Sequence, residues 1–358
     1  MDHSQLPTQR RKAGQPVLLT VFLVLLAGFV LAMPHPSGAA HAKPALYLFK
    51  IASLAPDGSI WAKRFREFAD EVRSRSNGDI DFKIYPGGIM GDDRAMYRKM
   101  KIGQLQGGGF TMTGISEIVP DFRVMGIPFL FDSYEEVDHV AQGLRRPFEE
   151  VFARKDMVLL ALTEVGFIHT MSVSPITTVD ELKKSKCWAP EGDPIGKDFL
   201  ETLGVTPIQL SIPDVLSSLQ TGLIDTTFNS FYGSIVLQWF TQARYITDIP
   251  FAYAYGALVM DKKSFDRLPE PYAAMMREVA EEKFAALIRD TRESNAESLE
   301  VMRKNGIRLV QPTEAALEEL RRNREKSVAN LVGQAFSKEI YDTLTRLLED
   351  YRKKAGEQ

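Results

Sequence analysis

Apolar positions recur at every second residue over 46–52 and again over 80–85, the period of a half-buried strand. Between them the period lengthens. Trp61, Phe65, Phe68 and Val72 fall at i, i+4, i+7 and i+11, which predicts a helix over 60–74 with one apolar face and Ser59 as its N-cap. Asn77-Gly78 marks the turn into the second strand, and Pro86-Gly87-Gly88-Ile89-Met90-Gly91-Asp92-Asp93 is a glycine-rich loop leading into a helix over 94–102. Residues 110–113 read as a short buried strand, Ser133 caps a helix over 134–142, and 158–163 and 166–173 read as two more strands. Past Ile249-Pro250-Phe251 a strand is predicted over 257–260. After Pro271 neither proline nor glycine occurs up to Lys304. An unbroken helix of that length exceeds what one small domain needs, so it is predicted to cross between two. A strand over 307–310, a Thr313-capped helix over 314–332 and a last helix over 338–355 complete the chain. Strands alternating with helices predict parallel sheets covered on both faces.

One stretch, residues 186–233, organises the rest. Within it Leu216 to Asp225 has the logic of a short helix ending at a glycine and feeding a buried strand, with Gly222 placed where a positive φ is needed. Upstream, Lys186-Cys187-Trp188-Ala189-Pro190 reads as a strand opening into a loop. Two strand ends therefore present Trp188 to Glu191 and Asn229 to Tyr232 side by side, the place where open α/β sheets hold ligands.

The first forty-odd residues stand apart from this pattern. Arg10, Arg11 and Lys12 precede an apolar run over 17–33, and Ala40-His41-Ala42 supplies a small-residue cleavage signal, as in a secretory leader removed near Ala42. Removing residues 1–42 takes away three positive charges and one negative, so the net charge moves from −3 to −5. A mildly acidic exported chain is a poor match to nucleic acid, whose binding rests on Lys and Arg against phosphate. Cys187 is the single cysteine, which excludes an intrachain disulfide, and past residue 42 only His139 and His169 remain as histidines. A histidine-based metal site or a Ser-His-Asp triad is hard to build from that inventory. Gly107-Gly108-Gly109 is no phosphate loop, since it precedes a strand and lacks a following Lys-Ser/Thr.

Three motifs in order carry a family resemblance: Tyr85-Pro86-Gly87-Gly88 with Gly91-Asp92-Asp93-Arg94, then Pro128-Phe129-Leu130-Phe131, then Leu219-Gln220-Thr221-Gly222 with Asp225 and Asn229. The chain resembles the extracytoplasmic solute receptors of tripartite ATP-independent periplasmic (TRAP) transporters, of the dicarboxylate-receptor type, over about residues 46–350. What the resemblance implies is an α/β, two-domain periplasmic-binding-protein-like fold with a ligand cleft between domains, a chain that crosses between them and a long bracing helix. Residues 43–165 with 255–294 would form the first domain, and 166–254 with 295–358 the second. The implied function is a periplasmic receptor that catalyses nothing, closes over a small molecule and delivers it to the membrane subunits of such a transporter, without cofactor, metal or nucleic acid.

The same resemblance exposes a departure. Family members that bind carboxylates carry an arginine at the position of Trp188 in Trp188-Ala189-Pro190, and a second at Ile168 in Gly166-Phe167-Ile168-His169. The bidentate guanidinium clamp on a carboxylate is thus replaced twice. Candidate ligand contacts are Trp188, Asn229, Glu191, Asp93, Thr111, Ile168, Ile212, Ser53, Phe231 and Tyr253. Bland readings stand beside them. Trp188 would be a core indole, Asp93 the cap of the helix after it, Glu191 and Asp193 solvated or capping carboxylates, and His169 a structural histidine. The expected solute is a neutral polyhydroxylated, aromatic or amine-bearing molecule rather than a C4-dicarboxylate. Two alternatives remain open at this point: an exported enzyme on a similar scaffold, and a ligand-sensing partner of a membrane receptor.

Overall fold

A computed structural model describes residues 44–356, so the leader expected over 1–42 lies outside the described residues. The strands are β1 (Tyr47–Ser53), β2 (Ile80–Tyr85), β3 (Gly107–Thr111), β4 (Met157–Ser172), β5 (Trp188–Pro190), β6 (Ile208–Leu210), β7 (Thr226–Asn229), β8 (Tyr245–Thr247), β9 (Ala252–Asp261) and β10 (Arg308–Val310). One sheet runs in the order β10-β8-β4-β9-β3-β1-β2, with β7 also paired to β4, and β5-β6 form a separate parallel pair. That pair is tied to the larger sheet by a parallel bridge between Cys187 and Thr226.

The expectation of parallel sheets needs correction. β1 pairs in parallel with β2 and β3, and β8 with β10, but β4 and β9 run antiparallel to each other, β3 antiparallel to β9, and β7 and β8 antiparallel to β4. The two stretches expected as separate strands, 158–163 and 166–173, are one strand. Register shifts between Leu159 and Ala161 and between Glu164 and Gly166 disturb its alternation, which is why the pattern reads as two pieces. Gly166 sits at the second shift with φ +99°, and a side chain there would meet Asn295 and Tyr134. This strand changes partners along its length: Met157 to Ile168 pair with β9, and His169 to Ser172 pair with β7.

Local signals account for most helices. Ser59 accepts from Ala62 N and opens Ile60–Arg75, whose Phe65, Phe68 and Val72 are buried against Phe49 and Ile51 of β1. Ser133 caps Tyr134–Ala153, which continues eleven residues beyond the expected end and through Pro147. Tertiary packing sustains it. Val137, Val140, Leu144, Phe148 and Phe152 are buried on one side, and Gly143 lets the Leu347 side chain of the last helix approach. Gly222 ends Val215–Thr221 at φ 70°, as expected. Met112 and Thr113, read as the end of a strand over 110–113, instead begin a helical turn, Met112–Ile115, capped by Thr111.

The helix Glu270–Lys304 packs against two clusters of the core. Met276, Val279, Ala280, Phe284 and Leu287 pack against the Ile60–Arg75 helix and the β1–β4–β9 part of the sheet. Farther along, Met302 joins Met171, Ile246 and Ile307 on the β8–β10 side. Between these apolar ends the buried positions turn polar. Asn295 accepts from Tyr232 N at 2.9 Å and donates from Nδ2 to Val165 O at 3.0 Å, fastening the helix to the crossing strand and to the segment after β7.

Candidate functional site

A cavity of about 210 Å³ opens where the ends of β1 and β3, the crossing part of β4 and β9, and the ends of β5 and β7 converge. Its position follows from the topology, since ligand sites in α/β sheets form beyond strand ends. Apolar and aromatic groups make most of the wall: Trp61, Phe65, Phe110, Met112, Ile168, Trp188, Ile212, Phe228, Trp239 and Phe251. Ser53, Thr111, Thr113, Thr163, Glu164, Asp193, Asn229 and Tyr253 supply the polar atoms. Among the described residues lining the cavity there is no arginine, lysine or histidine.

Seven of the ten sequence candidates lie on this wall: Ser53, Thr111, Ile168, Trp188, Ile212, Asn229 and Tyr253. Trp188 is a core indole that also lines the cavity. It is 3 % exposed, packed with Val215, Leu219, Ile224 and edge-on to Trp239 at 5.2 Å, yet one part of the indole faces the cavity. Its Nε1 donates to Leu210 O at 3.0 Å, so the indole presents an apolar face and no free donor to the cavity. Asn229 Oδ1 accepts from Ser230 N at 2.8 Å, an Asx-type lock on the turn after β7. Its Nδ2 has no partner among the described residues. Tyr253 donates its hydroxyl to Glu164 Oε2 at 2.8 Å.

Three candidates lie elsewhere. Asp93 and Glu191 line a small recess of about 30 Å³ beside the cavity, with which it shares Leu54, Thr113, Pro190 and Ile212. Asp93 is buried and accepts from Thr111 N at 3.0 Å and from Thr111 Oγ1 at 2.6 Å. Burial pushes its carboxyl up to about 7, although both Thr111 bonds oppose the rise. The helix cap is its neighbour: Asp92 accepts from Ala95 N at 2.8 Å. Glu191 takes a bond from Arg94 at 2.6 Å, and Arg94 in turn holds Glu117 through Nε at 2.7 and 2.8 Å. The Glu191 carboxylate is therefore engaged by a guanidinium across the recess. Phe231 must be withdrawn as a wall residue: its ring stacks on His169 at 4.3 Å and packs toward Met171 and Ile246. Burial holds His169 down at about 4, and its Nδ1 lacks a partner.

Sequence reading missed Glu164 as a wall residue. It is fully buried, a lone carboxylate inside an apolar strand, and that isolation was the available signal. Arg292 on the long helix meets it at 3.0 Å through Nε and 2.8 Å through Nη2, then reaches on to Asp138, while its guanidinium lies over the Tyr134 ring at 4.3 Å. Burial raises the Glu164 carboxyl above the ordinary range, and Arg292 partly offsets that. Asp193, read as a ligand or a cap, caps Pro194–Thr202 by accepting from Ile195 N and Gly196 N at 3.0 and 3.1 Å. Trp239 was also missed, since nothing in the pattern around a short turn distinguishes it. Among the described residues no group of His, Cys, Asp and Glu is arranged to hold a metal ion, and no helix is long and apolar enough to cross a membrane.

Comparison with known proteins gives a consistent picture. The family described as bacterial extracellular solute-binding protein, family 7, matches residues 51–334. A solute-binding protein of Chromohalobacter salexigens is 24 % identical over 222 residues, covering 62 % of this chain and 66 % of that protein, just under two thirds of its length. The C4-dicarboxylate-binding periplasmic protein of Rhodobacter capsulatus is 23 % identical over 68 % of this chain and 73 % of its own. Among solved structures, a sugar acid binding protein of Advenella mimigardefordensis, in complex with galactonate, superposes with a TM-score of 0.80 at 19 % identity, covering 86 % of this chain and 99 % of that one. The expected fold, an α/β periplasmic-binding type, is that of these structures.

Proposed function

The chain belongs to family 7 of the bacterial extracellular solute-binding proteins, and from that premise we propose that it captures an uncharged small molecule in the cavity and hands it to the membrane subunits of a TRAP-type transporter. The family is one of binding proteins, which sets aside the enzyme alternative. In this reading residues 1–42 are an export leader cleaved near Ala42. Residues 43–165 with 255–294 and residues 166–254 with 295–358 act as two lobes that shut on the solute. A ligand touching both walls only in the shut form favours that form by its differential affinity.

One observation carries the choice of solute: among the described residues the cavity wall has no arginine, lysine or histidine, and it holds Trp188 and Ile168 at the two positions where the family resemblance implies carboxylate-binding arginines. The relatives named above bind a dicarboxylate and a sugar acid, by their descriptions. A carboxylate placed here would instead meet two buried carboxylates, Glu164 and Asp193, and lose its hydration without a partner. Calorimetry and thermal-shift measurements with succinate and malate, with and without chelator, test this. Neither acid is expected to bind, and tight binding of either without a metal ion overturns the reading. Native mass spectrometry of the purified protein then identifies any solute retained from the host.

A further inference from the structure

The polar atoms of the cavity narrow the ligand further, an inference that rests on the receptor reading above. Each carboxylate on the wall is already engaged. Glu164 accepts from Arg292 and Tyr253, and Asp193 accepts from two backbone N–H groups. Neither is left as an unpaired anion that an ammonium group would neutralise. The Trp188 and Trp61 indole N–H groups are also taken, by Leu210 O and Glu164 O. What stays unpartnered among the described residues is small in number and includes no side-chain group that can only accept. Asn229 Nδ2 and the Trp239 indole N–H are donors, and the Ser53 and Thr163 hydroxyls serve either way. A polyol needs many partners of both kinds, and this wall, apolar over most of its area, has few.

We infer that the ligand is a flat, uncharged, mainly aromatic or unsaturated ring compound carrying one or two acceptor oxygens, such as a carbonyl, with the ring against Trp188 and Phe228 and an oxygen taking the Asn229 N–H. The cavity is smaller than the pockets of about 300–1,000 Å³ that hold drug-sized ligands, which matches one or two rings. Amine-bearing and polyhydroxylated solutes, both compatible with the sequence alone, are thereby set aside.

The test compares probes of one shape and different charge on the full mature protein by calorimetry: acetophenone and benzamide, benzoate, benzylammonium, and myo-inositol as the polyol. Binding is expected from the two neutral aromatics only. Asn229→Ala is expected to weaken them about fivefold, the loss of one buried hydrogen bond. Trp239→Phe keeps the ring while removing the indole N–H, and reads the second donor without opening the core. Benzoate or benzylammonium binding as tightly as benzamide overturns the inference, as does inositol binding more tightly, or no neutral aromatic binding at millimolar concentration. Full affinity in Asn229→Ala overturns the assigned donor. Tight succinate binding would instead remove the receptor reading for uncharged solutes, so the two failures are distinguishable.

Discussion

Replacing Arg292 with methionine tests the electrostatics behind the cavity. Glu164 has no exposed surface, whereas the Arg292 side chain keeps 23 % of its own. In Arg292→Met the carboxylate loses its Nε and Nη2 bonds and retains only the Tyr253 hydroxyl. The bonds to Asp138, which is more than half exposed, contribute little by comparison. Stranding a buried ion by removing its partner costs about 3–5 kcal/mol, and methionine fills most of the vacated volume, so about 3 kcal/mol is expected. The double variant Arg292→Met with Glu164→Gln removes the stranded charge and is expected to recover most of that loss.

The pH dependence has a definite sign. Burial raises the Glu164 carboxyl in the folded state, and without Arg292 it rises further. A carboxyl raised on folding contributes stability below its unfolded value of about 4.5 and loses it as pH climbs through the folded value. The deficit of Arg292→Met in urea unfolding, followed by tryptophan fluorescence, should therefore be largest at neutral pH and shrink toward pH 4.5. A deficit under about 1 kcal/mol, or one unchanged by acidification, would refute a dry, paired Glu164.

Other expectations follow from the same structure. Asp93, raised by burial to about 7, should give the wild type up to one proton's slope of stability loss as pH rises from about 4 to 7, and Asp93→Asn should lack it, as thermal melts across pH can read. His169 is held down at about 4, so acidification from about 6.5 toward 4 should cost stability that His169→Gln no longer loses, visible in the same melts. Arg94→Ala should free the 188–196 segment, raising its amide hydrogen exchange by up to about fivefold at low salt and scarcely at high salt, as for a partly exposed ion pair. Gly192→Ala should disturb the same contact, because a Cβ there would lie 1.7 Å from Glu117 Oε1 at a backbone φ of +79°.

Much of the fold was legible because the relevant physics is local. Ser59, Ser133 and Thr313 cap helices by bonds to their own next turn, and Gly222 relieves a backbone conformation that a side chain would strain. The adjacency of Trp188 and Asn229 was readable from two strand ends, and the Cys187–Thr226 bridge draws those strands together. Strand direction was not readable, since alternation reports which face is buried and not which way the neighbour runs. The run through Pro147 was likewise hidden, because burial of Leu144, Phe148 and Phe152 outweighs the lost backbone bond. Glu191 was visible as a rim residue, but its partner Arg94 is 97 positions away, and only the fold brings them together.

The crossing strands have a consequence for dissection. Because β4 pairs with β9 along Met157 to Ile168 and with β7 and β8 along its last residues, no single cut in the chain leaves both parts of the sheet intact. A fragment ending before residue 252 would lack β9 and leave a long edge of β4 unpaired, the condition that invites pairing with foreign chains. Fragments split just before residue 252 are expected to be insoluble singly and to regain structure only when mixed, so complementation, rather than isolated expression, is the way to study either piece.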